Sequence, residues 1–258
     1  MAISFEDCKS GQSTPNPTTP NPNTQSKISI GKTYNLQYNQ TDDLITDGYD
    51  LIDIDMEDTS AAQIASLKKE GKTVLCYINT GAYEEWRSDA NSFDTALLGK
   101  NMSGWAGEKW LDIFCLDLLL PLMSARFERA KEKGCDAIHP DNIDGYSNDS
   151  GFTLTANDQL LYNKMIAKLA HDNGMLIGLK NSVAQIDDLV HDFDFAINES
   201  CYIYEECSGY SAFIGVNKPV YIIEYDIDVF TSNQEDAKQN QFSMIHKNRN
   251  LDAYVRSI

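Results

Sequence analysis

Eight short runs of β-prone, mostly apolar residues recur along the chain: Thr33–Tyr38, Leu51–Asp55, Thr73–Asn79, Ala137–Asp141, Leu176–Lys180, Phe195–Glu199, Val220–Tyr225 and Leu251–Val255. Between most of them lie stretches with apolar residues at three- and four-residue spacing, the period of a helix with one buried face. Three of these, Ser60–Glu70, Leu118–Lys133 and Thr155–Asn173, run into Gly71, Gly134 and Gly174. Glycine is the expected stop after a last helical turn. Repetition of helix, glycine and strand predicts parallel strands joined by helical crossovers. Eight such strands in about 225 residues predict a (β/α)8 TIM barrel near the small end of its range. A doubly wound sheet fits less well, because no glycine-rich phosphate loop follows the first strand.

The strand ends share a second pattern. Asp50-Leu-Ile-Asp-Ile-Asp55, Ala137-Ile-His-Pro-Asp-Asn142, Leu176-Ile-Gly-Leu-Lys-Asn181, Phe195-Ala-Ile-Asn-Glu199 and Val220-Tyr-Ile-Ile-Glu-Tyr225 each finish in charged or amide side chains. In parallel α/β folds these ends form the rim where chemistry takes place. Asp141 and Glu199, at the fourth and sixth strand ends, would face one cleft. Two carboxylates there are what glycosidic cleavage needs, one as proton donor and one as nucleophile or base. The bland alternative is that one of them only orients a neighbour or binds a hydroxyl. Lys180 admits Schiff-base chemistry if desolvated, but abundant carboxylates would keep its amine protonated, favouring a pair with Asp141 or a bond to a sugar hydroxyl. His139, His171, His191 and His246 show no ligand spacing, and no Gly-x-Ser-x-Gly elbow occurs. Metal-dependent deacetylation and serine hydrolysis are therefore set aside, and neither metal nor cofactor is expected.

One connection is long. Thr80 to Asp117 carries all three tryptophans, Trp86, Trp105 and Trp110. They either pack a minor core or offer flat faces to sugars. At the other end, Ser10 to Gln25 is rich in Ser, Thr, Asn, Gln and Pro, a composition that cannot bury apolar surface. Residues 1–27 are expected to be a disordered tether, and residues 28–258 a single barrel domain. Met1–Asp7 does not read as a signal peptide. Cys8, directly before the tether, suggests a lipid-anchored surface protein, although Phe5-Glu6-Asp7 is not the small-residue site such anchoring uses.

The net charge of −18 argues against a nucleic-acid partner. It reads either as a solvated acidic surface or as a field that steers a cationic substrate. No run of about 18 apolar residues is present, so no transmembrane segment is expected. Cys201 and Cys207 are too widely spaced for a zinc knuckle and predict a small disulfide loop, hence a location outside the cytoplasm. Cys76 and Cys135, in or beside apolar runs, read as buried thiols. Cys115 has no assignment.

Taken together, several motifs resemble one enzyme family. They are Cys76-Tyr77-Ile78, Gly81 with Glu84/Glu85-Trp86-Arg87-Ser88-Asp89, Trp105-Ala-Gly-Glu108-Lys-Trp110-Leu-Asp112, Lys133-Gly-Cys-Asp136, Pro140-Asp141-Asn142, Gly178-Leu-Lys180-Asn181, Asn198-Glu199 with Cys201 and Cys207, and Glu224-Tyr225. In this order they resemble the endo-α-1,4-polygalactosaminidases, family 114 of the glycoside hydrolases, from about Tyr34 to Tyr225. The resemblance implies a TIM barrel that cuts α-1,4-linked galactosamine polymers within the chain. It implies Asp141 and Glu199 as the catalytic pair. By analogy with barrel α-galactosidases, Asp141 would be the nucleophile and Glu199 the general acid/base, with retention of configuration. The first strand departs from the family pattern, reading Tyr34-Asn35-Leu36-Gln37-Tyr38 where tryptophan and glutamine are usual. A cationic or partly acetylated galactosamine polymer would account for the acidic charge. Candidates for its amino and hydroxyl groups are Asp53, Asp55, Asp112 and Glu224. Tyr77, Asn142, Lys180, Asn181, Asn198, Tyr202 and Tyr225 are candidates for hydrogen bonding and stacking. Retaining carboxyls should lie about 5–6 Å apart. A non-catalytic carbohydrate-binding barrel and an exo-acting α-galactosidase-like enzyme are the alternatives. A secreted or surface-tethered monomer is expected.

Overall fold

The computed structural model describes Cys8, residues 27–39 and residues 43–258. The predicted tether, Met1–Asp7 included, lies outside the described residues apart from Cys8 and Lys27. The first strand, β1, is Tyr34–Leu36; β2 is Leu51–Asp55 and β3 is Thr73–Asn79. An excursion follows with three short strands, β4 (Ala82–Glu84), β5 (Leu98–Asn101) and β6 (Glu108–Leu111). The main sheet resumes with β7 (Ala137–Asp141), β8 (Leu176–Lys180), β9 (Phe195–Glu199), β10 (Val220–Glu224) and β11 (Ser243–Lys247), and ends in β12 (Val255–Ser257). Its order is β1-β2-β3-β7-β8-β9-β10-β11-β12. The first eight of these pair in parallel, and β1 comes back against β11. This is the expected TIM barrel.

The principal crossover helices start and stop where the sequence indicates. Helix α1 (Ala61–Lys69) begins with a capping box, in which Ser60 accepts from the Gln63 N–H and the Gln63 side chain accepts from the Ser60 N–H. Helix α2 (Leu116–Lys133) ends at Gly134, whose φ of 96° lies in the left-handed region that glycine enters without a Cβ clash. Helix α3 (Ala156–Asp172) repeats the capping box with Thr155 and Asp158.

Two apolar cores result. Inside the barrel, Tyr34, Leu51, Leu75, Phe195, Tyr221 and Ile245 pack together, with the Tyr34 and Tyr221 rings 4.8 Å apart. Outside it, Ile64, Leu119, Phe127, Ile166 and Phe213 belong to the cluster between helices and sheet. Each fully buried side chain of this size contributes about 1.5–3 kcal/mol. Alternation decides which residue serves which core: Ile223 faces the barrel interior and Ile222 the helices.

Three expectations are corrected. The eighth barrel strand is Ser243–Lys247, not Leu251–Val255. Leu251 instead has a φ of 50°, and its carbonyl accepts the N–H groups of Tyr38 and Asn39. The chain then turns back, so that β12 runs antiparallel to β11. Cys76 and Cys135 are not buried thiols but a disulfide spanning 59 residues, worth roughly 4 kcal/mol in the chain-entropy model. Cys8 pairs with Cys115, so the sulfur that a lipid thioether would use is already bonded. Cys201 and Cys207 form the expected small loop. No helix among the described residues is long and apolar enough to cross a membrane.

Candidate active site

Asp141, Lys180 and Glu199 are the last residues of three adjacent strands, β7, β8 and β9. Period-2 alternation from Ala137, Leu176 and Phe195, all in the barrel core, turns all three inward. The Lys180 Nζ lies 2.9 Å from Asp141 Oδ1 and 3.3 Å from Glu199 Oε2. The two carboxyl groups thus meet around one ammonium, each through a single oxygen. The remaining oxygens are also held. Tyr77 donates to Asp141 Oδ2 at 3.1 Å, and Tyr225 donates to Glu199 Oε1 at 2.6 Å.

Burial works against the charge on Asp141, but Lys180 and then His139 outweigh it and hold the carboxyl below the usual aspartate range. Burial likewise opposes the Lys180 ammonium, and Asp141 and Glu199 more than offset it, leaving its pKa above the ordinary lysine value. An amine held protonated has no lone pair for Schiff-base formation, so Lys180 acts as a charge.

The backbone beyond these strands is arranged with equal economy. Asn142 and Asn181 follow their strands at φ 59° and 49°, a region that asparagine tolerates. The Asn181 side chain accepts the Glu199 N–H at 3.0 Å, and Asn142 donates to Asn79 at 3.1 Å. The N–H groups of Thr80 and Gly81 both donate to the Asp141 carbonyl. A Cβ on Gly81 would fall 1.7 Å from the Asn142 carbonyl oxygen, so only glycine permits this approach.

Six predicted binding residues lie elsewhere, and each has an occupation that explains it. Asp53 is wholly buried, accepting from Tyr34 at 2.7 Å and Tyr38 at 3.1 Å and contacting His139 Nδ1 at 2.7 Å. Asp55 is held by both terminal nitrogens of Arg87. Asp112 accepts the Phe114 N–H in the turn that leads into α2. Asn198 follows the outward alternation of β9 and donates to Glu206 and Tyr210. Tyr202 donates to Asp236 at 2.8 Å. Glu224, also outward, accepts the Tyr202 N–H on one oxygen, while its other oxygen is buried without a partner.

Burial pushes the Glu224 carboxyl up to about 7. A raised carboxyl favours the fold fully below its unfolded pKa, and this advantage is lost as pH rises through about 7. Glu224→Gln is thus expected to raise Tm by about 3–5 °C at pH 8 and to change it little at pH 5. Calorimetry at the two pH values checks this; an equal shift at both would refute it.

The excursion between β3 and α2 supplies what the strand ends could not indicate. Its strands form a small antiparallel sheet of order β4-β6-β5. The tryptophans differ in placement, and Trp86 is exposed away from the cleft. Trp110 is buried, whereas Trp105 is 59% exposed and borders the cleft. Glu108 on β6 enters the cleft beside Asp141 and accepts from Asn79 at 3.3 Å. Burial, and then the charges of Glu84 and Asp141, push its carboxyl up to about 7. Its place in the Trp105–Trp110 motif was the only sequence signal for it. The cleft, about 230 Å³, continues past Glu199 into a second hollow of about 470 Å³. Five carboxyl groups line this groove (Glu108, Asp141, Asp144, Glu199 and Glu206) against the single ammonium of Lys180 among its described lining residues. No cluster among the described residues is arranged to hold a metal ion.

A parallel barrel whose strand ends hold a cation-bridged carboxylate pair, in a groove with an aromatic wall, defines a class: enzymes that cleave glycosidic bonds. The sequence profile of glycoside-hydrolase family GH114 matches residues 13–258. The chain belongs to that family and is a glycoside hydrolase. It is similar to Aspergillus fumigatus Ega3, whose crystal structure is a complex with galactosamine, at 32% identity and a TM-score of 0.87, over 95% of this chain and 100% of that one. The glycoside hydrolase domain of PelA from Pseudomonas aeruginosa aligns at 13% identity and a TM-score of 0.66, over 87% and 98%. Trehalulose synthase MutB from Pseudomonas mesoacidophila MX-45 aligns at 12% identity and 0.56, over 80% and 58%. At these identities the likeness to PelA and MutB shows the fold alone. Comparison with curated proteins gives no match.

Proposed function

We propose that this protein cuts α-1,4-linked galactosamine-containing polysaccharide within the chain, outside the cell, with retention of configuration. The observation that carries the reading is the Lys180-bridged pair, Asp141 and Glu199, in a groove where carboxyls outnumber cations. Such a groove repels anionic sugars and attracts a polymer bearing free ammonium groups. The galactosamine bound in Ega3 supports the same sugar class. The hollow beyond Glu199 supports cutting within a chain, since an exo-acting enzyme needs a blind pocket. Three disulfides support an oxidising location.

In the proposed reaction Asp141 attacks the anomeric carbon while Glu199 gives its proton to the departing glycosidic oxygen. The carbon–oxygen bond breaks as the bond to Asp141 forms. Glu199 then takes a proton from water, and the resulting hydroxide displaces Asp141. Low basicity suits Asp141 to this role, because it stays ionised in mild acid and also leaves readily. Lys180 and Tyr77 orient it, and Tyr225 orients Glu199. Glu108, neutral below about pH 7, can donate to a sugar hydroxyl, and above that pH it adds charge for an ammonium.

Partly deacetylated α-1,4-galactosamine polymer is the test substrate. Mass spectrometry should show a ladder of short oligomers from the start of digestion. Unchanged polymer length with measurable binding would replace the enzyme with a binder. Monomer release alone would replace endo with exo action.

A further inference from the structure

The hollow beyond Glu199 shares Asp144, Asn148, Asn181 and Glu199 with the catalytic cleft, but not Asp141 or Lys180. If Glu199 is the proton donor, the sugar that leaves must depart on its side of the pair. The hollow is on that side. We infer that it is the binding site for the leaving-group portion of the polymer, with Tyr204 as a stacking face and Glu206 and Asp144 as receivers of its ammonium groups. This rests on the function proposed above.

Tyr204 is 71% exposed and borders the hollow. An aromatic ring this open contributes little to the core, and its flat face suits the apolar face of a pyranose ring. The loop that carries it is fixed at several points. The Cys201–Cys207 disulfide closes it, the Glu206 N–H donates to the Cys201 carbonyl at 2.9 Å, and the Tyr204 N–H donates to the Ser200 carbonyl at 3.2 Å. A φ of 57° at Glu205 makes the turn between the two side chains tight. The backbone that carries the ring is therefore fixed before the ligand arrives, which lowers the entropic cost of binding.

Glu206 is oriented from behind. Wholly buried Asn198 donates to Glu206 Oε1 at 3.2 Å and contacts the Tyr210 hydroxyl at 2.9 Å. Tyr210 in turn donates to the Asn181 carbonyl at 3.1 Å, and Asn181 borders both hollow and cleft. This gives Asn198 a task at one remove from the sugar: it positions a carboxylate. Across the hollow, burial and then the charge of Asp141 raise the Asp144 pKa, a burden that an incoming ammonium relieves.

The test uses end-labelled, fully deacetylated galactosamine oligomers with wild type, Tyr204→Ala and Glu206→Gln, the cut positions read by mass spectrometry and each fold checked by its Tm. Both variants should lower kcat/KM by about tenfold, the effect of one lost charge-assisted or stacking contact, and move the preferred cut along the oligomer. Tyr204→Trp, which restores a flat ring, should return the cut to its wild-type position. On N-acetylated oligomers the Glu206→Gln loss should vanish. Cleavage with unchanged cut positions and kcat/KM in both variants overturns the site alone. An equal Glu206→Gln loss on acetylated oligomers overturns the ammonium assignment. Absence of cleavage by the wild type removes the proposed function and this site with it.

Discussion

Asp141→Asn is expected to lower kcat on galactosamine polymer by at least about 10⁴-fold while leaving the fold intact, because an amide can neither attack the anomeric carbon nor depart as a carboxylate. Lys180 would lose one anionic partner and keep Glu199 at 3.3 Å, so the site need not collapse. Glu199→Gln should cost less, about 10²–10⁴-fold on the polymer, the usual worth of a positioned proton donor. The contrast gives a cleaner assignment than either loss alone. With an activated aryl galactosaminide, Glu199→Gln should recover much of its first step and accumulate glycosyl-enzyme, whereas Asp141→Asn should recover nothing. Recovery in Asp141→Asn but not Glu199→Gln would exchange the two roles. The first-formed anomer, read by NMR during wild-type digestion, should match that of the substrate; the opposite anomer would overturn the retaining mechanism and with it the nucleophile.

Lys180→Met should have the second large effect, and its signature is a displaced pH profile. In the wild type Lys180 is the leading attraction that lowers the Asp141 pKa against burial. Without the ammonium, burial prevails and that pKa rises. At a mildly acidic pH where wild-type Asp141 is ionised, the variant's would be protonated and unable to attack. The acid limb of kcat/KM against pH should therefore move to higher pH, with activity partly restored on the alkaline side. A uniform loss with an unmoved acid limb would show that Lys180 positions the pair without tuning it. Because Lys180 is buried against both carboxylates, a lower Tm is expected as well, and the kinetics belong at a temperature where the variant is folded.

The barrel was legible in the chain because six of its strands are apolar runs that end in polar residues, with helices that open on a capping box or stop at glycine between several of them. The eighth is different. Ser243-Met-Ile-His-Lys247 carries only two apolar side chains, whereas Leu251–Val255 looks more strand-like. Parallel pairing with β10 settles the matter, since contacts across the sheet outweigh local propensity. The catalytic candidates were legible for the same reason as the strands, each terminating a run. Depth and facing were not. Asp53 ends up beneath the cleft among Tyr34, Tyr38 and His139, and Asn198 and Glu224 take the outward phase of their strands, because one residue of register reverses the face. Glu108 could not be placed from its neighbours in sequence, since an antiparallel fold-back carries it to Asp141.

That fold-back has a consequence for how such an enzyme can diversify. The excursion departs at Gly81 and returns at Leu111, whose N–H donates to the Gly81 carbonyl at 3.0 Å, so its two ends are stitched together at one point of the barrel. Its rungs, Ala82 with Trp110 and Glu84 with Glu108, bond within the small sheet rather than to the main one. The tip around Trp105 can thus lengthen, shorten or exchange aromatic residues over generations without disturbing the catalytic strands. The aromatic wall at Trp105 and the carboxylate pair thus stand on separately variable stretches of the chain.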